Sequence, residues 1–178
     1  MKKIVLIYGT ISGLLMVLMF VISFYLMDRG ILKEHSEVLG YSTMIIVLSL
    51  IFFGIKSFRD KHGSGTITFW KGVKIGLAIA SIASLFYATG WEVYYNNVPG
   101  LKETFMDKYT DSIVAKMKHD GAVQEKIDAK IKEMNNMKEM YKNPFIRYGM
   151  TLAEILPVGI VISLLSAGIL RKKNVLPA

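Results

Sequence analysis

The chain has 178 residues, 52% of them hydrophobic, with a formal net charge of +8 and no cysteine. The missing cysteine excludes disulfides, thiolate chemistry and cysteine-ligated zinc or iron–sulfur centres. The basic surplus sits beside the ends of long apolar blocks and not in a stripe interleaved with aromatic residues, which points to a lipid bilayer as partner and away from nucleic acid.

Lys2 and Lys3 open an apolar run that reads as a retained transmembrane helix over residues 4–27. It is too long for a signal-peptide core, and no small-x-small cleavage site follows it. A short polar connection, 28–37, leads to a second span over 38–55. The basic, glycine-containing stretch 56–66 reads as a loop ending in helix-capping residues. The third span, 69–91, begins amphipathically, with Lys71 and Lys74 placed to snorkel toward headgroups. Its Gly76, Ala80 and Ser84 recur every fourth residue, a stripe small enough for close helix contact.

From 92 to 144 the pattern changes. Asn96-Asn97-Val98-Pro99-Gly100 ends the helix. Phe105, Tyr109, Ile113 and Met117 then recur at spacing four. After Asp120-Gly121 so do Val123, Ile127 and Ile131, followed by Met134. This pattern predicts two amphipathic helices joined by a tight turn. Nine lysines match nine acidic residues between Glu92 and Lys142, so the hairpin is expected to be solvated around one apolar stripe. Asn143-Pro144 starts the final unit, 145–173, a fourth span with a basic tail of Arg171, Lys172 and Lys173.

The expected architecture is all-α: an integral membrane four-helix bundle with an extracytoplasmic amphipathic hairpin between spans three and four. A cytoplasmic N-terminus puts Lys2, Lys3, Lys56, Arg59, Lys61, Lys71, Lys74, Arg171, Lys172 and Lys173 inside, opposed only by Asp60. The two outer segments are then near neutral. The positive-inside rule is obeyed at every loop, with both termini cytoplasmic.

The order of motifs resembles a family of small bacterial four-helix membrane proteins, of Bacteroidetes type, known as domain of unknown function 4199. The resemblance rests on Lys2-Lys3-Ile4 with Tyr8-Gly9-x-x-Ser12-Gly13, and on Phe53-Gly54-Ile55-Lys56-x-x-Arg59-Asp60. It continues through Phe69-x-Lys71-Gly72-x-x-Ile75-Gly76 and Trp91. Glu154-x-x-Pro157-Val158-Gly159 and Ile169-Leu170-Arg171-Lys172-Lys173 complete it. It implies a multi-pass protein of the bacterial inner membrane and brings no activity with it.

The fourth span carries two residues that a plain lipid anchor does not need. Glu154 is a carboxylate where insertion costs roughly 2.5–3.5 kcal/mol. Pro157 lacks the N–H that would bond the Ala153 carbonyl, and it is read as a helix break. With the topology above, Tyr25, Tyr41, Ser42, Thr43, Tyr87, Thr89, Trp91, Glu92, Tyr148, Thr151 and Glu154 lie at one depth in the outer half of the bilayer. Two readings stand. In the sharper, Glu154, Tyr148, Thr151, Trp91, Glu92 and Tyr41 line an outward-facing polar pocket, a proton or cation site beside the break at Pro157. In the plainer, Tyr and Trp form an interfacial belt and Glu154 bonds a neighbouring hydroxyl. Arg147 lies about 10 Å along the helix from Glu154, too far to pair without bending.

No catalytic, cofactor-binding or metal set is expected. His35, His62 and His119 are far apart, and no His-Glu-x-x-His, Gly-x-Ser-x-Gly or Walker-type lysine loop is present. The function expected is a non-catalytic scaffold or interaction protein, presenting the hairpin to a membrane-protein partner or a second copy. The alternative is a small oligomeric proton- or cation-linked transporter using the Glu154/Pro157 region.

Overall fold

The structure is a computed structural model and describes residues 1–31 and 37–172. His35 and Lys173 lie outside the described residues, as does half of the expected connection between the first two spans. The described residues form seven helices in order: α1 Lys2–Asp28, α2 Glu37–Leu48, α3 Leu50–His62, α4 Phe69–Asn97, α5 Leu101–His119, α6 Gln124–Tyr141 and α7 Pro144–Leu170. Among the described residues four stretches are long and apolar enough to cross a membrane: Lys2–Met27, Leu39–His62, Phe69–Asn97 and Pro144–Leu170. Large apolar side chains point away from the bundle on these helices, among them Leu14 and Leu18 of α1, Ile46 of α2 and Leu165 and Ile169 of α7. Such a belt would be an aggregation hazard in water and is at home in hydrocarbon.

The centre of the bundle is α4, which packs most extensively on α7 and then on α1. Small residues let the backbones approach. A methyl group added at Gly76 would stand 2.7 Å from Ser163 Cβ, and one at Gly159 would stand 2.7 Å from Ala80 Cβ. The expected stripe of Gly76, Ala80 and Ser84 is therefore the α7-facing seam in its first two members, and Ser84 is fully buried too. Gly9 and Gly13 do the same for α1, where an added Cβ would collide with Ile82 and Phe86 of α4. Leu48, Ile51, Ile55, Ile75, Ile79 and Ile155 are at 0% exposure and fill the middle.

The second span is longer than expected and interrupted once. The segment 56–62, read as loop, is the last part of α3. Polar residues continue a helix readily once apolar packing has nucleated it. The hydroxyl of Ser49 donates to the Ile46 carbonyl at 2.6 Å, and a local turn separates α2 from α3 there. The loop proper begins at Gly63, turns through Gly65 at φ 79°, and ends at Thr68, which caps α4 by accepting from the Lys71 N–H at 3.3 Å. Ile67 pairs its backbone with Lys172, joining this loop to the end of α7.

At the other end of the bundle, α5 and α6 form the expected antiparallel pair, with Lys138 of α6 bonded to Asp107 of α5. Its turn uses Gly121 at φ 76°. Met106, Ile127 and Met134 are buried in the pair, whereas Val123, expected in the apolar stripe, is exposed at the start of α6.

The expected helix break at Pro157 is not seen: α7 runs uninterrupted from Pro144 to Leu170. Pro157 lies on the exposed face, while Ile155 and Gly159 on either side are buried in the bundle. Packing on both sides of the residue holds the helix through one missing hydrogen bond.

Candidate functional site

A largely buried ion pair joins α4 to α7 and, through the Tyr141 carbonyl, reaches the end of α6. The Arg147 guanidinium donates through Nε to Glu92 Oε1 and through Nη2 to Oε2, both at 2.7 Å, and through Nη1 to the Tyr141 carbonyl at 2.8 Å. It also stacks on Tyr95, with Cζ 4.2 Å from the ring centroid, and lies 5.7 Å from that of Tyr141. Arg147 is only 4% exposed, so its charge is tolerable because both carboxylate oxygens face it. Glu92 is on α4, Arg147 on α7 and Tyr141 at the end of α6. Three elements meet at one side chain.

Beside this pair the indole N–H of Trp91 donates to the Tyr141 hydroxyl at 2.7 Å. Burial holds the Tyr141 phenol above the ordinary tyrosine range, so it stays a neutral donor and acceptor at physiological pH. Phe105 of α5 sits 4.9 Å from Trp91 and 5.7 Å from Tyr141, centroid to centroid. Phe20 and Phe24 of α1 extend the ring cluster at 6.0 and 5.6 Å from Trp91. Contacts of this kind contribute roughly 0.5–1.5 kcal/mol each beyond burial.

Beneath α5 and α6 these rings wall a cavity of about 700 Å³, bounded by residues of six helices. Tyr41, Thr151, Trp91 and Glu154, four of the expected pocket residues, line it. Thr43 and Tyr87 line it as well. Two expected members lie elsewhere. Glu92 is committed to Arg147, and the Tyr148 hydroxyl bonds Thr89 Oγ1 at 3.1 Å. Thr151 gives its hydroxyl to the Arg147 carbonyl at 3.0 Å. Tyr25 is outside the cavity, beneath the Arg29 guanidinium.

The exposed lining residues, Leu39, Gly40 and Tyr41 of α2 with Ala153 and Glu154 of α7, show that the cavity opens between those two helices. Among the described lining residues Glu154 is the one that carries charge, and it makes no hydrogen bond or ion pair with another described residue. The hydroxyl partner that the plainer reading gave it is therefore absent among the described residues.

His62 stacks on Phe58 at one end of the bundle and His119 contacts Asp120 at the tip of the helix pair. Among the described residues no three His, Cys, Asp or Glu side chains are placed to hold a metal ion.

A family model described as "Protein of unknown function (DUF4199)" matches residues 7–172. The chain belongs to that family. No curated protein and no solved structure matches it. Family membership extends over all four candidate spans and the helix pair between them, and it brings no activity to assign.

What sequence reasoning missed is the partner of Arg147, which it tested only against Glu154 on the same helix. A signal was present: Glu92 and Arg147 are opposite charges at the ends of two apolar runs, on the same side in any four-span topology. Tyr95 and Tyr141 carried no comparable signal, because aromatic residues at a span's end are read first as interfacial belt.

Proposed function

We propose that the chain is a non-catalytic, multi-pass protein of the bacterial inner membrane that holds α5 and α6 outside the cytoplasm as a fixed interaction platform. The observation that carries this reading is the buried Arg147–Glu92 pair with its Tyr141 and Trp91 bonds. It fastens the helix pair to α4 and α7, and the apolar faces of α5 and α6 are spent on that seat. What remains outward is the charged face, including Lys108, Asp111, Lys132 and Glu133, all exposed. A rigid polar face of this kind suits recognition of a membrane-protein partner or a second copy by charge complementarity.

The orientation follows from charge. The starts of α1 and α4 and the ends of α3 and α7 carry the basic residues, and Asp60 among them is paired with Arg59 at 2.7 Å. Placed in a bilayer, that end faces the cytoplasm and the α5–α6 end faces out. The absence of native cysteine makes the test direct. Lys118→Cys should react with a membrane-impermeant maleimide in intact spheroplasts, and Lys61→Cys only after permeabilisation; the reverse pattern would overturn the orientation. Photo-crosslinkers at Asp111 and Lys132 should give a discrete product in membranes, lost when Arg147 is replaced by Ala. Diffuse or absent products at both sites would count against the platform.

The alternative, an oligomeric proton- or cation-linked transporter working through Glu154 and Pro157, draws on the cavity. The packed core weighs against it in one chain. Leu48, Ile51, Ile79 and Ile155 are fully buried in the middle of the bundle, where a path inward from the cavity would have to run. Transport would need a second copy, so a monomer in lipid would rule that version out.

A further inference from the structure

The cavity between the helix pair and the bundle has a composition that the platform reading does not use. Rings and thioethers make up much of its wall, among them Phe24, Trp91, Phe105, Met44 and Met137, and hydroxyls of Ser23, Tyr41, Thr43 and Thr151 interrupt them. Among the described lining residues Glu154 alone contributes charge, with neither lysine nor arginine to compensate it. An unpaired carboxylate in such surroundings either carries a proton or meets a cation. A bare metal ion is a poor match, because hard cations favour several charged or carbonyl oxygens, and among the described residues one carboxylate stands here with neutral hydroxyls. A cation with an apolar body fits both features. Aromatic faces attract quaternary and protonated nitrogen, and methionines adapt to irregular shapes. The volume of about 700 Å³ lies within the range of ligand pockets, roughly 300–1,000 Å³.

We propose that this cavity binds an amphipathic organic cation, entering between α2 and α7, with Glu154 as its counter-ion and Trp91, Tyr87 and Phe24 as its walls. The packed core stands inward of the site, so the site holds a ligand without passing it on. Because the cavity also touches Phe105, Tyr109 and Tyr141, an occupant contacts the helix pair and the spans together. The proposal does not depend on which end of the bundle faces the cytoplasm, or on whether α5 and α6 meet a partner.

The test uses the full chain in nanodiscs of zwitterionic lipid. Trp70, the other tryptophan, is exposed at the far end of the bundle, so Trp70→Phe leaves Trp91 as the sole emitter. The probes are tetraphenylphosphonium and its anionic isostere tetraphenylborate, equal in shape and opposite in charge. Tetraphenylphosphonium should quench Trp91 saturably. Binding of tetraphenylborate, and of the cation to Glu154→Gln, should each be weaker by at least about tenfold. Ala153→Phe, which places a ring at the mouth of the cavity while keeping Glu154, should abolish the saturable signal and serves if Glu154→Gln does not fold. Equal binding of the two probes, or of the cation to Glu154→Gln, would overturn the proposal and leave a neutral cavity for a lipid chain. Absence of saturable quenching would overturn it as well.

Discussion

At the scale of single residues, Arg147 does more than any other side chain described here. Its guanidinium meets two carboxylate oxygens, a carbonyl and a ring face, and no lysine could make that set from one point charge. Arg147→Ala should destabilise the fold by about 3 kcal/mol, at the low end for a broken buried pair because Glu92 keeps some access to solvent. Thermal unfolding in mild detergent measures this, and Arg147→Lys should recover only part of the loss. Tyr141 adds a pH dependence. Its folded-state pKa lies above the ordinary value of 10.0, so the unfolded chain loses the phenolic proton first as pH rises. Stability from this group is complete below pH 10 and falls above it. The fall should be shallower in Tyr141→Phe, measured as Tm against pH from 8 to 11. Of these residues the sequence made Glu154, Trp91 and Tyr41 visible, because a charge or ring inside an apolar run is conspicuous. The Arg147–Glu92 pair was hidden by a separation along the chain that only the packing of α4 on α7 closes.

At the scale of helices, small residues decide how closely α4, α7 and α1 pack. Gly159→Leu should cost roughly 1–3 kcal/mol, as overpacking does, because even a Cβ there would stand 2.7 Å from that of Ala80. Gly149→Ala and Gly168→Ala, on the same helix with nothing within 4 Å, should be neutral or slightly stabilising. Comparing the three by thermal unfolding separates packing from helix propensity. The spans and the Gly76/Ala80 seam were legible because hydropathy and a four-residue period are local signals. The ends of α3 and α4 were not, since helices run past the apolar stretch when packing supports them. Nor was the continuity of α7: a proline states that a hydrogen bond is lost, but whether the helix bends depends on its neighbours, and here Ile155 and Gly159 hold it.

At the scale of the whole molecule, the apolar stripe of α5 and α6 predicted that the pair needs a surface to rest on, without saying which. Self-packing, the bilayer and a second copy all satisfied the pattern. The aromatic cluster around Trp91 answers it within one chain: the stripe is shared between the two helices and the end of the bundle. A platform fixed in this way keeps its outer charges in one arrangement, and the same seat supplies one wall of the cavity that Glu154 lines. The central claim is thus that α5 and α6 move with the spans as one body. The most direct test is a spin–spin distance measurement in lipid between Glu125→Cys, at the far end of α6, and Ile22→Cys on α1. The account predicts a single narrow distribution that broadens when Arg147→Ala is added. A broad distribution in the otherwise unaltered protein would contradict it, and would mean that the helix pair moves independently of the bundle.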